Sequence, residues 1–486
     1  MSNSNAFPPF RPLSRREMLR QTGLGFGSLA LAGLLQADGL RAAALGGEPA
    51  GFDLTPKAPH FRPRARAVIQ LMQNGGPSQM DLFDPKPELQ KRHGQTYSEK
   101  VETLQKGSES MELMGSPFEF FRAGGCGMDF SEPVRHISSI ADEITMIRSM
   151  HTEHNNHSEA LIMFQTGKIF SGRPSAGAWV SYALGTENQN LPAYVVLRDP
   201  EGYNTNGALN WDNGWLPALY RGTEFASKGA PVLNLNPSSP LPANSQDDRL
   251  DLLAKLNERH RLEHPRDTSL EARIRNYELA ARMQLGAADA LDLSKETAAT
   301  KKMYGLEDPR TAGYGLRCLM ARRLVEQGVR FIQVFPPLRP SFQPWDSHSD
   351  LKEGVTEIAG ATDLPSAALV KDLKARGLLD EVIVMWAGEF GRLPVSQKGT
   401  GRDHNRNAFS LWMAGGGFKA GYTHGSTDEL GYRAEENKVS VPDLHATMLH
   451  SLGLDHERLV FRHHGRDESL TDKPLTGAQV VPDLLS

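Results

Sequence analysis

Carboxylate and imidazole side chains collect beside apolar stretches that predict β-strands. Four groups share this placement: Asn74 with Asp81, Asp346 with His348, Glu389, and Asp403 with His404. Mixed carboxylate and imidazole ligands suit zinc or manganese better than calcium, which prefers oxygen atoms alone. A single Asp-x-His is weak evidence, but groups at successive strand ends would meet at one edge of a sheet. We expect a divalent-metal site there, with a polar network that binds no metal as the alternative.

A second cluster, residues 151–157, contains three histidines spaced three apart. A helical turn would place them on one side. They could instead satisfy backbone groups in a loop, and Asn156 or Ser158 would cap the helix that follows. A helix start at a strand end is also where a nucleophile or a bound anion would lie. The pattern therefore makes His157 the candidate nucleophile or general acid/base, with Ser158 and Asn156 beside it and His154 lining the pocket.

Alternating strands and helices are predicted to position these groups. The strands are expected at 67–72, 144–147, 194–197, 329–335, 381–386 and 409–413, and the helices at 158–165, 366–376 and 442–452. This alternation predicts a mostly parallel central sheet covered on both faces, a three-layer α/β/α sandwich. Ligands of such sheets bind at the carboxyl ends of the strands, where the polar groups lie.

The chain is predicted to contain one domain over residues 67–486. Residues 201–328 read as an irregular and then helical insertion, and residues 45–66 as a linker. The balance of 54 Lys and Arg against 58 Asp and Glu gives a net charge of −4, which argues against a nucleic-acid partner. Cys126 and Cys318 are too few for a disulfide framework, and either a single bridge or two free thiols is open.

Residues 1–44 are predicted to be an export signal. The paired Arg15-Arg16 precedes an uncharged run over 22–35 that is too short to span a bilayer, and Ala42-Ala43-Ala44 offers a cleavage site. This arrangement is typical of the twin-arginine pathway, which exports folded proteins. We expect the twin-arginine machinery as a partner, a periplasmic or extracellular location, and no stable transmembrane anchor.

The last third of the chain resembles the alkaline phosphatase and sulfatase superfamily, which includes the cofactor-independent phosphoglycerate mutases. In that superfamily one strand is followed by Asp and His, the next by Asp-His-Gly, and a lone His precedes a further strand. The corresponding residues here are Asp346 with His348, Glu389-Phe390-Gly391, and His404. Asp443-Leu444-His445-Ala446-Thr447 and the segment 158–168 also resemble sulfatase helices.

Within that superfamily the mature chain is identified as a member of the secreted bacterial domain-of-unknown-function 1501 family. Motifs over nearly all of residues 67–470 carry the resemblance: Gly75-Gly76-Pro77-Ser78, Asn156-His157, Gly172-Arg173-Pro174-Ser175, Gly388-Glu389-Phe390-Gly391-Arg392 and Gly401-Arg402-Asp403-His404. The resemblance implies an alkaline-phosphatase-like fold. It also implies an exported metal-dependent hydrolase of sulfate or phosphate esters, acting on a small-molecule or polysaccharide substrate.

Three departures from the superfamily pattern bear on that activity. Asn74 stands where a metal-binding Asp is expected, Phe390 replaces an imidazole, and His157 with Ser158 stands at the place of the nucleophile. One metal on Asp346, His348 and His404 is then expected, with zinc or manganese first and calcium or magnesium second. Glu389, Asp403, Asn74 and Asp81 are further candidate ligands, and Arg173 or Arg392 would hold the anion. The alternative is an inactive relative that binds a ligand or an envelope partner.

Overall fold

A twisted array of strands runs through the centre of the molecule in the computed structural model, which describes residues 52–228, 245–263, 274–280, 282–283 and 291–486. In chain order the strands of this part are β1 Ala67–Met72, β2 Phe120–Ala123, β3 Met128–Ser131, β4 Ile144–His151, β5 Tyr194–Leu197, β6 Thr223–Glu224, β7 Phe331–Val334, β8 Val382–Ala387, β9 Gly391–Gln397, β10 Gly401–Asn405, β11 Phe409–Ala414, β12 Tyr422–His424, β13 Ser426–Thr427, β14 Ala434–Glu436, β15 Val439–Ser440, β16 Phe461–His463 and β17 Arg466–Glu468.

The central sheet has the strand order β12-β4-β11-β8-β1-β7-β5-β6, and β15 also pairs with β4. Strand β1 is parallel to both β7 and β8, and β5 is parallel to β6 and β7. Strand β11 alone in this described sheet runs antiparallel to its neighbours, β4 and β8. The carboxyl ends of β1, β4, β5, β7 and β8 therefore open on one edge, together with the start of β11. This arrangement confirms the predicted mostly parallel sheet.

Both faces of the sheet are covered. Every residue of β1, β8 and β11 is buried. Because successive side chains of a strand point to opposite faces, burial of all of them requires packing on both sides. The continuous apolar sequences of these strands, such as Ala67–Met72, are the reason that they occupy the centre.

The α-helices of the described residues are α1 Gln79–Leu82, α2 Pro87–Lys91, α3 Arg135–Ser138, α4 His157–Thr166, α5 Ala176–Leu184, α6 Ser245–Glu263, α7 Ala298–Met303, α8 Pro309–Glu326, α9 Leu351–Ala375, α10 Val441–Ser451 and α11 Lys473–Thr476. Helix α9 begins well before the predicted residue 366 and contains Pro365 in its interior. The predicted start at residue 366 was wrong, because the helix continues through Pro365. Helix α10 begins with a capping box in which Ser440 and Asp443 satisfy each other's backbone N–H groups.

Strands β9 and β10 form a separate antiparallel hairpin directly after β8. Sequence reasoning placed these residues in loops, but the hairpin buries every one of them. Residues 53–486 form one compact unit. The predicted export signal lies outside the described residues. Within those residues, no helix combines the length and the apolar character needed to cross a membrane. Cys126 is exposed and Cys318 buried, and neither is in a disulfide.

Candidate metal centre

Asp346 lies at the centre of a cluster of imidazoles at the carboxyl edge of the sheet. Its Oδ1 atom is 2.9 Å from Nε2 of His348, 3.2 Å from Nε2 of His404, and 2.7 Å from Nη2 of Arg392. Its Oδ2 atom is 3.3 Å from Nε2 of His157, although that contact lacks hydrogen-bond geometry. The structure thus brings together four of the predicted site residues around one carboxylate.

Two of these imidazoles have their other ring nitrogen at an oxygen that can only accept a hydrogen bond. Nδ1 of His404 is 2.7 Å from the carbonyl oxygen of Asn155. Nδ1 of His348 contacts Oε1 of Gln397, whose Nε2 in turn donates to the carbonyl of Lys106 over 2.9 Å. Each Nδ1 therefore carries a proton, and when Nε2 is unprotonated each ring turns a lone pair toward Asp346.

His157 is held in the same way but by a charged acceptor. Its Nδ1 lies 2.6 Å from Oε1 of Glu389, a fully buried carboxylate that also accepts from the N–H of Gly75 over 3.0 Å. Gly75 has φ +112°, and a Cβ there would lie 2.6 Å from the backbone nitrogen of Asp346, so only glycine fits. The Phe390 ring stands 4.8 Å from the His157 ring and closes this side of the cluster with apolar surface.

The donor atoms fit a divalent cation. Nε2 of His348 and Nε2 of His404 are 3.1 Å apart, and Oδ1 of Asp346 lies 2.9 Å from the first and 3.2 Å from the second. Ligands held at about 2.0–2.1 Å by tetrahedral zinc are roughly 3.3 Å apart, so the triangle has the right size. Imidazoles that ligate a metal characteristically donate their other N–H to a carbonyl or carboxylate, as all three rings do here. His157, Asp346 and His404 also offer ligand atoms within 4.8 Å of one another.

The electrostatics keep Asp346 ionised. Burial alone would raise the pKa of Asp346, but the Arg392 guanidinium and the close contacts with the three imidazoles hold it well below its ordinary value. Burial lowers the pKa of His404 to about 4, so that ring is neutral at pH 7. Burial would also lower the pKa of His157, but its contacts with Asp346 and Glu389 raise it. A carboxylate and a neutral imidazole are the protonation states that a metal requires.

Asp403 is near the cluster but is occupied by the backbone. Its Oδ2 accepts from the N–H groups of Leu104 and Gln105 over 2.8 and 2.9 Å, and its Oδ1 from the N–H of His404 over 2.8 Å. These bonds hold the Gln105 backbone so that the side-chain Nε2 of Gln105 lies 2.9 Å from Nε2 of His348. Asp403 therefore positions a loop around the site although it lies within reach of both rings. Sequence reasoning missed Gln105, because no pattern around it signals a contact with a residue so distant in the chain.

Arg392 is not placed to hold a substrate anion. It is buried, and its guanidinium donates to one carboxylate and to four backbone carbonyls, those of Gly75, Gly76, Trp345 and Arg402. These contacts engage Nε and both terminal nitrogens, and they leave at most one N–H, on Nη1, for an anion. Its role in the structure is to fix the loop after β1 and to orient Asp346.

Two further predicted substrate-binding residues, Arg173 for the anion and His154 as part of the pocket lining, lie apart from the cluster in their contacts. Arg173 pairs with Glu468 over 3.1 Å, and its guanidinium stands 4.7 Å from the centre of the Trp215 ring. His154 accepts a hydrogen bond from the N–H of Asn156 over 3.1 Å. The structure thus gives Arg173 a structural ion pair and gives His154 a place in the loop before helix α4.

The predicted helical turn of histidines is not formed. His151 ends strand β4, His154 lies in the loop, and His157 is the first residue of helix α4. Asn156 is the residue before that helix, but its side chain makes no capping hydrogen bond. Ser158 donates to Oδ1 of Asn206 over 2.7 Å and has no base beside it among its hydrogen bonds. Of this segment, the structure brings only the His157 imidazole to Asp346.

Asp81 and Asn74, the predicted ligands after β1, differ in their surroundings. The Asp81 carboxylate takes a hydrogen bond from Ser78 and forms a two-point ion pair with Arg402, so the structure does not bring it to the cluster. Asn74 is fully buried beside the cluster, and neither atom of its amide has a hydrogen-bond partner among the described residues.

Solved structures with a similar chain course were found at low sequence identity. A protein in the alkaline phosphatase superfamily from Vibrio parahaemolyticus is 10% identical, with a TM-score of 0.34 over 84% of this chain and 72% of that one. The PsFucS1 sulfatase from Pseudoalteromonas sp. is 12% identical, with a TM-score of 0.33 over 82% and 69%. The phosphonate monoester hydrolase of Agrobacterium radiobacter is 12% identical, with a TM-score of 0.33 over 86% and 78%.

No protein with a curated description matches the sequence. Residues 65–485 do match a family described as "Protein of unknown function (DUF1501)". This match covers the whole central sheet and every residue of the cluster, and it confirms the family predicted from the motifs. The chain therefore belongs to the DUF1501 family of proteins of unknown function.

Proposed function

We propose that the protein is a single-metal hydrolase of phosphate or sulfate esters. The observation that carries the proposal is the convergence of three imidazole Nε2 atoms on the Asp346 carboxylate, each ring having its Nδ1 at an acceptor. Lone pairs directed at a carboxylate repel it unless a proton or a metal cation lies between them, and a metal cation can serve several of the rings at once. Asp346, His348 and His404 would hold the metal, with zinc or manganese preferred over calcium or magnesium because two of the ligands are nitrogen.

The metal would act as a Lewis acid on the ester oxygens. His157 is the group placed to attack, because its Nε2 has no hydrogen-bond partner among the described residues and Glu389 fixes its Nδ1 proton. In this step a bond forms from Nε2 to phosphorus or sulfur while the ester bond breaks, and the leaving alkoxide takes a proton from water. Water then cleaves the new bond and restores the imidazole. The Glu389 carboxylate offsets the positive charge that the ring carries in between.

The experiment is a metal analysis and a hydrolysis assay on the same purified full-length protein. After incubation with zinc or manganese we expect about one ion per chain and turnover of p-nitrophenyl phosphate or p-nitrophenyl sulfate. His157→Ala should abolish turnover while keeping the metal, because His157 is not among the three proposed ligands. A wild-type protein that binds neither metal, or that turns over neither ester when loaded, would contradict the proposal.

One observation favours a second candidate, a ligand-binding protein without catalysis. Phe390 replaces a potential imidazole ligand, and its ring stands 4.6 Å from that of His404. Phe390 therefore contributes no ligand to a second cation on this side, which disfavours a two-metal clamp on the ester. This candidate predicts full metal content and measurable anion binding with no turnover of any ester.

We also propose export by the twin-arginine pathway, on the strength of Arg15-Arg16 and the short apolar run after them. Replacing both arginines with lysine should leave the precursor in the cytoplasm, as followed by fractionation and immunoblotting. As a control, the same change at the exposed Arg62 and Arg64 should not affect location. Normal export of the Arg15→Lys, Arg16→Lys protein would contradict this assignment.

A further inference from the structure

The Asn74 amide is buried without a hydrogen-bond partner. Among the described residues, it is the one side chain whose donor and acceptor atoms, Nδ2 and Oδ1, are both buried and unpaired. Buried polar groups in folded proteins are almost always hydrogen-bonded, and exceptions often mark a group that meets a ligand or a water molecule. Its position beside the cluster favours a bound ligand as the partner of the unpaired amide.

The sheet register places Asn74 at the cluster. Met72 of β1 pairs with Ala387 of β8, and Asn74 and Glu389 each follow two residues later. The carbonyl of Asn74 accepts from the N–H of Trp345 over 3.1 Å, next to Asp346 in the sequence. The adjoining Gly75 N–H donates to Glu389. Asn74 is therefore enclosed between the loop that carries Asp346 and the loop that carries Glu389.

The neighbouring positively charged group, the Arg392 guanidinium, already donates hydrogen bonds to other groups. Arg392 engages each of its nitrogens with Asp346 or with backbone carbonyls, so at most one N–H, on Nη1, is left for the oxygens of a bound ester. Nε2 of His157 is the other buried and unpaired atom of the cluster. The unpaired amide of Asn74, enclosed between the loops that carry Asp346 and Glu389, is therefore the uncharged group available to a tetrahedral ligand.

We propose that Asn74 binds a protonated phosphoryl group and thereby selects phosphate monoesters over sulfate monoesters. The amide needs a ligand that both accepts from Nδ2 and donates to Oδ1. A phosphate monoester retains a proton at about pH 6, since its second pKa is near that value, and so offers both a P–O acceptor and a P–OH donor. A sulfate monoester carries no proton in this range and leaves Oδ1 unpaired. An unpaired buried acceptor disfavours the ligand that causes it.

This inference rests on the proposed function and is tested by anion binding to the full-length, metal-loaded protein at pH 6. Isothermal titration with inorganic phosphate and with sulfate should give at least tenfold tighter binding of phosphate. Arsenate, which keeps a proton at this pH, should behave like phosphate, whereas selenate should behave like sulfate. The preference would then follow the proton and not the element.

Asn74→Leu removes both polar atoms while keeping the branching and the number of heavy atoms of the side chain, and it should reduce the phosphate-to-sulfate ratio to near one while leaving the metal content unchanged. Asn74→Ala is the second variant if Leu prevents folding. Ser410→Ala, which removes another buried and unpaired polar atom on β11, is the matched control and should keep the wild-type ratio.

Two results would overturn the inference: a wild-type ratio near one, as expected if Asn74 contacts only water, or an unchanged ratio in both Asn74 variants. Absence of bound metal from the wild type would instead contradict the proposed function. The same titration on that metal-free protein would still decide whether an Asn74-dependent preference exists, so the two failures are distinguishable.

Discussion

Asp81 and Arg402 form an ion pair that is wholly closed to solvent. Oδ2 of Asp81 is 2.7 Å from Nε of Arg402, Oδ1 is 3.2 Å from Nη2, and neither side chain is exposed. Arg402 also donates to the carbonyls of Leu393 and Met114. This pair joins helix α1 to the β9–β10 hairpin, which carries His404. It is therefore a support of the metal centre that contributes no ligand.

Asp81→Asn should destabilise the fold by about 3 kcal/mol, because it leaves the Arg402 charge buried without its counter-ion. Guanidinium denaturation measures the change. Metal content should stay at the wild-type level. Glu263→Gln, which breaks the exposed pair with Arg259, is the control and should cost less than about 1 kcal/mol. Loss of metal without loss of stability would instead make Asp81 a ligand.

His404→Ala should remove the bound metal, since it deletes one of three proposed ligand atoms. His404 is buried in the hairpin, so we also expect a stability loss of about 1–3 kcal/mol from the vacated space and the freed Asn155 carbonyl. Elemental analysis of the purified variant measures the first effect. His456→Ala removes a buried histidine that pairs with Thr471 elsewhere, and this control should keep its metal. Full metal content in the His404 variant would contradict the site.

Glu389→Gln should lower kcat about 100-fold or more with little change in metal content. The glutamine oxygen can still accept the Nδ1 proton of His157, but the charge that offsets a cationic ring is lost. Steady-state kinetics and metal analysis of one preparation separate the two effects. Gln397→Glu makes the opposite change in charge, because it replaces a neutral amide by a carboxylate beside Nδ1 of His348. A Glu389 variant with unchanged kcat would show that His157 does not need the carboxylate.

We expect His445, which lies away from the cluster, to cause a specific loss of folding stability at acidic pH. Burial lowers the pKa of His445 from the ordinary 6.5 to about 4, and its Nε2 lies 2.9 Å from the carbonyl of Phe164. Between those values the unfolded chain binds a proton that the folded chain does not. The contribution of His445 is therefore complete above pH 6.5, falls by roughly 2–3 kcal/mol as the pH drops to 4, and then levels off. Denaturation curves of His445→Gln should lack this component, and an unchanged pH dependence would contradict the assignment.

The sequence predicted the sheet and the residues that converge on Asp346 better than it predicted the contacts that support them. Asp346, His348 and Glu389 follow buried parallel strands, and such strands are recognisable from continuous apolar sequence. The parallel register then brings their ends together without any further information. The prediction therefore depended on short-range patterns that fix long-range geometry.

The misplaced residues share a different cause. Arg392 was predicted to hold an anion, and Asp81 was predicted to bind metal, but both are spent on buried contacts. A charged residue in a buried ion pair cannot be told from a functional charged residue in the sequence, because the difference depends on which distant residue lies opposite it in the fold. The hairpin of β9 and β10 determines which residues lie opposite Arg392 and Asp81. Most of its residues are polar, so its sequence does not reveal that it is a buried element.

The hairpin also sets the order in which the metal centre can be completed during synthesis. His404 reaches the carbonyl of Asn155 from a position 249 residues further along the chain. A nascent chain that ends before β10 contains His157 and lacks the second imidazole of the ligand triangle. An ion held by all three proposed ligands cannot guide the folding of the first half, because His404 is not yet part of the chain. Binding of the metal would thus indicate that the β9–β10 hairpin has packed against the rest of the fold.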